Sequence, residues 1–314
     1  MTRETIRVAI VQTSPVYWNL GASINKAAGL IAQAAQQGAE LIVFGETWLP
    51  GYPAWLDYCP EAGLWNHEPT KEVFAQLRRH SLVVGSEEAT ALSETAAKNK
   101  VTLVMGVNER VTQGPGRGTL YNTLLTFGPD GKLLQHHRKL VPTYTEKLVW
   151  GQGDADGLRA VEASSVRVGG LICWEHWMPL ARQALHISGE QIHVALWPNV
   201  NESSQIASRH YAFEGRCFVL AAGSLMKVSD VPKELDVVDS LKDKPEHLLL
   251  RGGSCIIGPD GKYIVEPVFD EEKLLLGDLD LTVIDRETMA LDVAGHYSRP
   301  DLFEFKVKQE LKCH

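Results

Sequence analysis

Two rhythms of apolar residues run through this chain. Short apolar runs at 7–12, 40–44, 101–111, 120–127, 166–172, 191–196 and 217–222 read as buried strands. Between them lie segments with helical spacing. In 23–37 the apolar positions are Ile24, Ala27, Ala28, Ile31, Ala34 and Ala35, and Gly38 closes the pattern. Segments 72–80, 87–98, 179–188 and 203–214 read as helices too, the third with Pro179 in its first turn and Gly189 just past its end. Strand and helix alternate to about residue 220, which predicts an α/β fold with parallel strands. Hairpins are interleaved. Gly128-Pro129-Asp130-Gly131-Lys132 links strands at 120–127 and 132–136, and Gly258-Pro259-Asp260-Gly261-Lys262 repeats that turn before a strand at 263–265. Two equivalent hairpins in two sheets, or a common turn used twice, both fit. Strands at 252–257 and 274–281 complete the pattern.

Some stretches break the rhythm. From Thr47 to Pro69 the chain is aromatic and irregular, with Trp48, Tyr52, Trp55, Tyr58 and Trp65 among prolines and glycines. So many rings in a loop suggest a pocket wall, a subunit contact or core filling. Residues 112–118 form a glycine-rich loop without the spacing of a phosphate cradle, and no GxGxxG follows the first strand, which excludes a Rossmann site. Segment 227–247 is charged and weakly patterned, a surface excursion, and a short tail runs from about 301 to His314. No linker divides the chain, so residues 1–314 are expected to form one domain.

Composition narrows the class. With 44% hydrophobic and 22% charged residues, the chain is an ordinary globular protein. A net charge of −8 gives no reason to expect nucleic acid or an anionic membrane as partner. Five cysteines, widely spaced and without a CxxC pair, argue against a disulfide framework or a zinc site. The first residues are polar and no apolar run approaches membrane-spanning length, so a cytoplasmic location is expected.

Candidate chemistry collects where predicted strands end. Cys173 follows the strand at 166–172 and precedes a helix, a position where ligands bind in open α/β folds and where the helix terminus favours thiolate. The plain alternative is a buried structural cysteine. Glu46 follows the strand at 40–44, and Lys139 follows that at 132–136. A thiol nucleophile needs a base, and the charge it creates needs a cation or N–H donors. Glu46, Lys139 and Cys173 supply those roles if the strand ends converge; separately, Glu46 and Lys139 read as solvated charges. A Cys–His pair drawn on His176, His193, His210 or His296 is the competing arrangement, and His136-His137 has no further ligand spacing to support a metal.

Three blocks add a resemblance. Gly45-Glu46-Thr47-Trp48-Leu49-Pro50-Gly51-Tyr52-Pro53, His137-Arg138-Lys139-Leu140-Val141-Pro142-Thr143-Tyr144-Thr145-Glu146 and Cys173-Trp174-Glu175 resemble, in this order, the signature blocks of the nitrilase branch of the carbon–nitrogen hydrolases. The likeness continues through Trp150-Gly151-Gln152-Gly153-Asp154, Gly215-Arg216-Cys217-Phe218, Gly252-Gly253-Ser254-Cys255 and Gly295-His296-Tyr297-Ser298-Arg299-Pro300, and spans about residues 7–301. It implies a four-layer α-β-β-α sandwich. It implies Glu46 as general base, Lys139 as stabiliser of tetrahedral intermediates, Cys173 as nucleophile and Glu146 as a second glutamate of the site. No metal or organic cofactor is implied. The substrate would be a small nitrile, hydrolysed to the acid and ammonia. The aromatic loop suggests an apolar pocket with Trp48, Tyr52, Trp174, Trp197 and Pro198 as substrate contacts, suited to arylacetonitriles, while aliphatic nitriles and dinitriles stay open. The resemblance also implies a homodimer that builds larger oligomers or spirals. An amidase with the same residues, and a catalytically idle assembly subunit, are the alternatives.

Overall fold

The structure is a computed structural model and describes residues 4–114 and 116–308. The end of the tail, 309–314, lies outside them, as do the first three residues of the polar N-terminus. The strands, in chain order, are β1 (Thr5–Gln12), β2 (Leu41–Phe44), β3 (Thr102–Arg110), β4 (Leu120–Phe127), β5 (Leu133–Arg138), β6 (Val161–Ala163), β7 (Val166–Ile172), β8 (Ile192–Leu196), β9 (Phe218–Ala222), β10 (Leu225–Lys227), β11 (Leu248–Ile257), β12 (Tyr263–Phe269) and β13 (Lys273–Asp280). The helices are α1 (Leu20–Gln36), α2 (Trp55–Tyr58), α3 (Glu68–Arg79), α4 (Glu87–Asn99), α5 (Pro179–Ile187), α6 (Glu202–Gly215) and α7 (Thr282–Glu287).

Two mixed sheets result. One runs β13-β1-β2-β3-β4-β5 and the other is built on β10, β11, β9, β8, β7 and β6, with β12 paired to β11. Each has a parallel centre, β1-β2-β3 in the first and β7-β8-β9 in the second, flanked by antiparallel strands. Period-two alternation along the central strands produces the layers. Val8, Ile10, Leu41 and Val43 face the second sheet and pack with Val168, Val194 and Leu220 in one core. Their neighbours Ala9, Val11, Ile42 and Phe44 face outward, onto Ile24, Ala27 and Ile31 of α1 and Leu92 and Ala96 of α4. Residues of α5 and α6 (Leu185, Tyr211, Ala212) cover the second sheet in the same way. The four layers are therefore α-β-β-α.

The repeated turn joins β4 to β5 in one sheet and β11 to β12 in the other. In both copies the first glycine donates its N–H to the lysine carbonyl at 2.8 Å, and the aspartate Oδ1 accepts the lysine N–H at 3.1 Å. The second glycine has φ +81° at Gly131 and +77° at Gly261, the left-handed region that glycine enters without strain. The short elements β6, β10 and α7 carry too little periodicity to be read from sequence.

Segment 227–247 is charged outside but anchored inside. Val228, Leu235 and Leu241 are buried, and they pack with Trp55, Ala54 and their neighbours from the aromatic loop. The segment's scattered apolar residues cover that loop. No helix among the described residues is long and apolar enough to cross a membrane.

Candidate active site

Three chain turns meet between the sheets. The first follows β2, where Gly45 to Thr47 bend sharply, with Thr47 at φ +43°. Gly106 on β3 lies directly against this bend: a Cβ there would stand 2.1 Å from the Gly45 carbonyl oxygen. The bare backbone of Gly106 is thus what lets Glu46 enter the site. The second turn follows β5. Lys139 extends the strand by one residue, donating its N–H to the Asn122 carbonyl at 2.8 Å, and its own carbonyl accepts the Gly153 N–H at 2.8 Å. The third follows β7. Cys173 opens a single helical turn, Cys173–Trp177, at φ +54°. A non-glycine residue held there costs on the order of 1 kcal/mol or more, tolerated where the surroundings over-determine the conformation.

The side chains converge as the strand ends suggest. Lys139 is buried, and its Nζ donates to Glu46 Oε1 at 3.0 Å and to Glu146 Oε1 and Oε2 at 3.0 and 2.7 Å. Glu146 also accepts the Tyr52 hydroxyl at 2.8 Å and the Thr143 N–H at 2.7 Å. Glu46 Oε1 accepts Asn122 Nδ2 at 2.6 Å, while Glu46 Oε2 is buried with no hydrogen-bond partner. One ligating atom each from Glu46, Glu146 and Cys173 lies within 4.8 Å of the others, a spacing that could hold a metal ion. The cation that this set is built around is the Lys139 ammonium, bonded to both carboxylates.

Electrostatics give each group its resting state. Two carboxylates share one ammonium, so one negative charge is in excess in a buried site, and ionising Glu46 is costly. Burial is the main cause that raises its pKa to about 7; the Glu146 charge raises it further, and Lys139 and Asn122 oppose the shift. Burial works against the Lys139 charge, but the carboxylates of Glu46 and Glu146 outweigh it and hold the ammonium firmly protonated. Burial and then Glu46 push the Cys173 thiol well above its ordinary value, against the weaker pull of Lys139 and of the Trp174 N–H. The resting sulfur is therefore a thiol. The helix terminus expected to favour thiolate is not adjacent: the single turn at Cys173 separates it from α5, and burial dominates.

The histidines do not compete for the role of base. His176 turns its Nδ1 to the Cys173 carbonyl at 2.7 Å and its Nε2 to His193 at 3.0 Å, so neither nitrogen faces the thiol. His210 is half exposed on α6 and His296 is exposed. His136 and His137 point apart, as adjacent strand residues must, to Glu109 at 2.8 Å and to Glu175 at 3.0 Å.

Of the expected substrate contacts, Trp48 and Trp197 are used differently. Trp48 packs on Phe44 in the outer helix–sheet layer and donates Nε1–H to the Thr13 carbonyl at 2.8 Å. Trp197 is buried in the central core, stacked on His176, and donates to Ser208 Oγ at 3.2 Å. Both indoles are needed as core, which a ring count in sequence does not reveal. Tyr52 reaches Glu146, Trp174 is 56% exposed next to Cys173, and Pro198 is half-buried.

Sequence reasoning gave no role to two residues, although Glu175 stands in the third of the resembling blocks. Asn122 is a polar residue inside a buried strand, and that was its only signal. Glu175 is fully buried and clasps both strand ends: Oε1 accepts the Leu140 N–H at 2.7 Å and Oε2 the Ile172 N–H at 2.7 Å, with His137 bridging both oxygens. It therefore sets the spacing between the Lys139 and Cys173 backbones. Burial opposes its charge, but His137 and the two N–H groups hold its carboxyl below the usual range.

Fold and site together define a carbon–nitrogen hydrolase. The family model for carbon-nitrogen hydrolase matches residues 7–286, and the chain belongs to that family. A carbon-nitrogen hydrolase from Helicobacter pylori G27 has the same fold, with a TM-score of 0.73 at 18% identity over 96% of this chain and 98% of that one. Within the family the chain is similar to nitrilases. It is 41% identical to Nitrilase 2 of an unknown prokaryotic organism over 96% of this chain and 92% of that protein. It is 38% identical to the aliphatic nitrilase of Sinorhizobium fredii (strain HH103) over 98% and 96%.

The Glu175 clasp is testable by stability. Glu175→Ala leaves His137 and two N–H groups unpaired in the core, and the expected loss is about 3–5 kcal/mol. Chemical denaturation of the variant beside the parent protein measures it; a loss below about 1 kcal/mol, the range of an exposed pair, would contradict the clasp.

Proposed function

We propose that this protein is a nitrilase, hydrolysing an organic nitrile to the carboxylic acid and ammonia through a covalent intermediate on Cys173. The observation that carries this reading is the buried Lys139 ammonium bonded to Glu46 and Glu146 beside the Cys173 thiol. A thiol, a carboxylate with one free oxygen and a fixed cation are what addition to a C≡N carbon requires.

In this mechanism Glu46 takes the thiol proton on its unpartnered Oε2 as the sulfur attacks. The nitrile nitrogen gains that proton, and a thioimidate forms. Water adds to the thioimidate carbon, giving a tetrahedral species. Ammonia departs with the electrons of the C–N bond and leaves a thioester. A second water, deprotonated by Glu46, attacks the thioester; the C–S bond breaks, the sulfur regains its proton and the acid is released. Lys139 and the Trp174 N–H face the charge that develops in the tetrahedral species. Such base assistance is worth about 10²–10⁴-fold, and one donor to the developing charge about 10²–10³-fold. Glu146 keeps Lys139 oriented and holds the water.

Tyr52, Trp174 and Pro198 are assigned to the substrate wall. The rings of Tyr52 and Trp174 favour an arylacetonitrile. Residues 1–314 are read as one domain, supported by the core shared between the two sheets. The exposed Leu180, Ile187, Ile206 and Phe213 of α5 and α6 support a homodimer, the unit of any larger assembly or spiral. The four buried, free cysteines among the described residues favour a reducing compartment such as the cytoplasm.

Ammonia release across matched nitriles and amides tests the activity. Turnover of amides alone would make the protein an amidase working through the same thioester, and no turnover with an unreactive thiol would make it an assembly subunit. Cys173→Ala is expected to abolish turnover with the fold retained by circular dichroism, and Cys173→Ser to be nearly inactive because a hydroxyl ionises far less than a thiol.

The acid limb of the pH profile should belong to Glu46. A base acts as the carboxylate, so kcat/KM is expected to fall as pH drops through about 7. Asn122 stabilises the ionised form, so Asn122→Ala should move that limb to higher pH and lower the rate at neutrality. An unmoved limb would remove Glu46 from the base role.

Glu146→Gln is expected to lower turnover strongly and to raise the share of amide product. With Lys139 and the water displaced, the tetrahedral species expels sulfur instead of ammonia more often. Steady-state rates with chromatography of acid and amide read both effects; a folded variant with the parent's rate and product ratio would return Glu146 to a structural ion pair.

A further inference from the structure

A chain of buried groups runs from the carbonyl of the nucleophile into the second sheet. His176 Nδ1 lies 2.7 Å from the Cys173 oxygen, and His176 Nε2 lies 3.0 Å from His193 Nε2. His193 Nδ1 lies 2.9 Å from Glu190 Oε2. Each link is of hydrogen-bond length, and each needs one proton. The Cys173 carbonyl can only accept, so His176 Nδ1 carries a proton. The contact between the two Nε2 atoms needs a second, and the link to Glu190 needs a third. Two neutral imidazoles carry one ring N–H proton each. With only those two, one contact would set two lone pairs face to face in a dry core.

Glu190 holds its charge. Burial works against it, but the surrounding histidines keep its carboxyl down at about 2. Its other oxygen accepts the Tyr211 hydroxyl and pairs with His186 at 3.3 Å. The third proton therefore sits on the rings. Burial presses both rings toward neutrality, and the bond count opposes it. Stacking fixes the ring planes, His176 on Trp197 at 4.8 Å and His193 on Tyr211 at 3.6 Å, so neither ring turns to escape the conflict. Arg182 donates to the His176 carbonyl at 3.0 Å and pairs with Glu214, and two further charges act on His193: Glu175, and the His186 ring, which Glu190 and Glu214 hold up at about 9 against burial.

We propose that His176 and His193 share three ring protons as one buried cation locked to Glu190, and that this pair positions the nucleophile by holding the Cys173 carbonyl while its φ stays at +54°. His176 is a positioning residue: it acts on the backbone of Cys173 and never touches substrate. The proposal rests on the reading of Cys173 as nucleophile, and its test is separable from nitrile turnover.

The full-length protein with nitrogen-15 in its histidines gives the first measurement. Three slowly exchanging ring N–H protons are expected on this pair, the central one coupled to both Nε2 nitrogens. Two ring protons, one per imidazole, would overturn the shared cation. The second measurement is the rate at which iodoacetamide alkylates Cys173, located by peptide mass, alongside kcat and KM. His176→Leu removes the donor to the carbonyl and should lower kcat about 10²-fold, the size of a misplaced reactant, with KM little changed. His176→Asn places an amide N–H where Nδ1–H stood, and should recover most of that loss. A folded leucine variant with the parent's alkylation rate, or an asparagine variant no better than leucine, would overturn the positioning role. The proton count is taken on the parent protein and does not depend on how either variant folds. If the parent turns over no nitrile while the alkylation pattern holds, the proposed activity fails and the positioning stands.

Discussion

Everything in this site follows from placing one ammonium between two carboxylates where water cannot screen them. A buried lysine is costly alone, and so is a buried pair of glutamates. Lys139 with Glu46 and Glu146 is tolerable because each charge faces an opposite one at hydrogen-bond distance. The charges still do not cancel. The one negative charge left over makes Glu46 reluctant to ionise and raises its pKa to about 7, with burial as the main cause. Near neutrality Glu46 can therefore both take and return a proton. Burial and the Glu46 charge keep Cys173 a thiol, so in the proposed mechanism sulfur becomes nucleophilic only as Glu46 receives its proton. A base is then needed because burial and the Glu46 charge keep the proton on sulfur, against the pull of Lys139.

The fold delivers these groups by repetition. Each sheet has a three-strand parallel centre followed by a hairpin with the same turn. Glu46 leaves β2 of the first sheet and Cys173 leaves β7 of the second. Lys139 comes from the end of the hairpin strand β5. Ligand sites at the carboxyl ends of parallel strands are a general property of α/β sheets. Here two sheets stacked face to face place two such ends against one another. The close approach is permitted where side chains are missing, as at Gly106, and is held by Glu175, which binds the Leu140 and Ile172 amides at once.

The parts of this arrangement legible in sequence were those written in local pattern. Strand alternation and helix spacing located the central elements because the layers impose those periods. Strand-end placement singled out Glu46, Lys139 and Cys173. Their convergence was not local: it depends on how β2, β5 and β7 stack across two sheets, and only the resemblance to the family supplied it in advance. Trp48 and Trp197 show the converse error. A ring in a loop looks available for substrate until the core around it is known, and both indoles are committed to Phe44 and His176. The roles of Asn122 and Glu175 stayed hidden because one polar residue in a strand or turn carries no period.

The strain at Cys173 ties stability to function. A left-handed nucleophile is unfavourable unless its neighbours leave it no other conformation. Glu175 fixes the amide of Ile172 on one side, and His176 holds the Cys173 carbonyl on the other. The backbone on either side of Cys173 is thus gripped by two different networks, one built on His137 and one on His193 and Glu190. Neither network supplies a reacting atom. Each is a buried polar assembly whose members satisfy backbone groups at the turn, which apolar side chains could not do. Their retention makes physical sense if the turn must point sulfur, rather than backbone, at the carboxylate with the free oxygen. Rigidity of the turn, and not acidity of the thiol, is then what the surrounding histidines contribute.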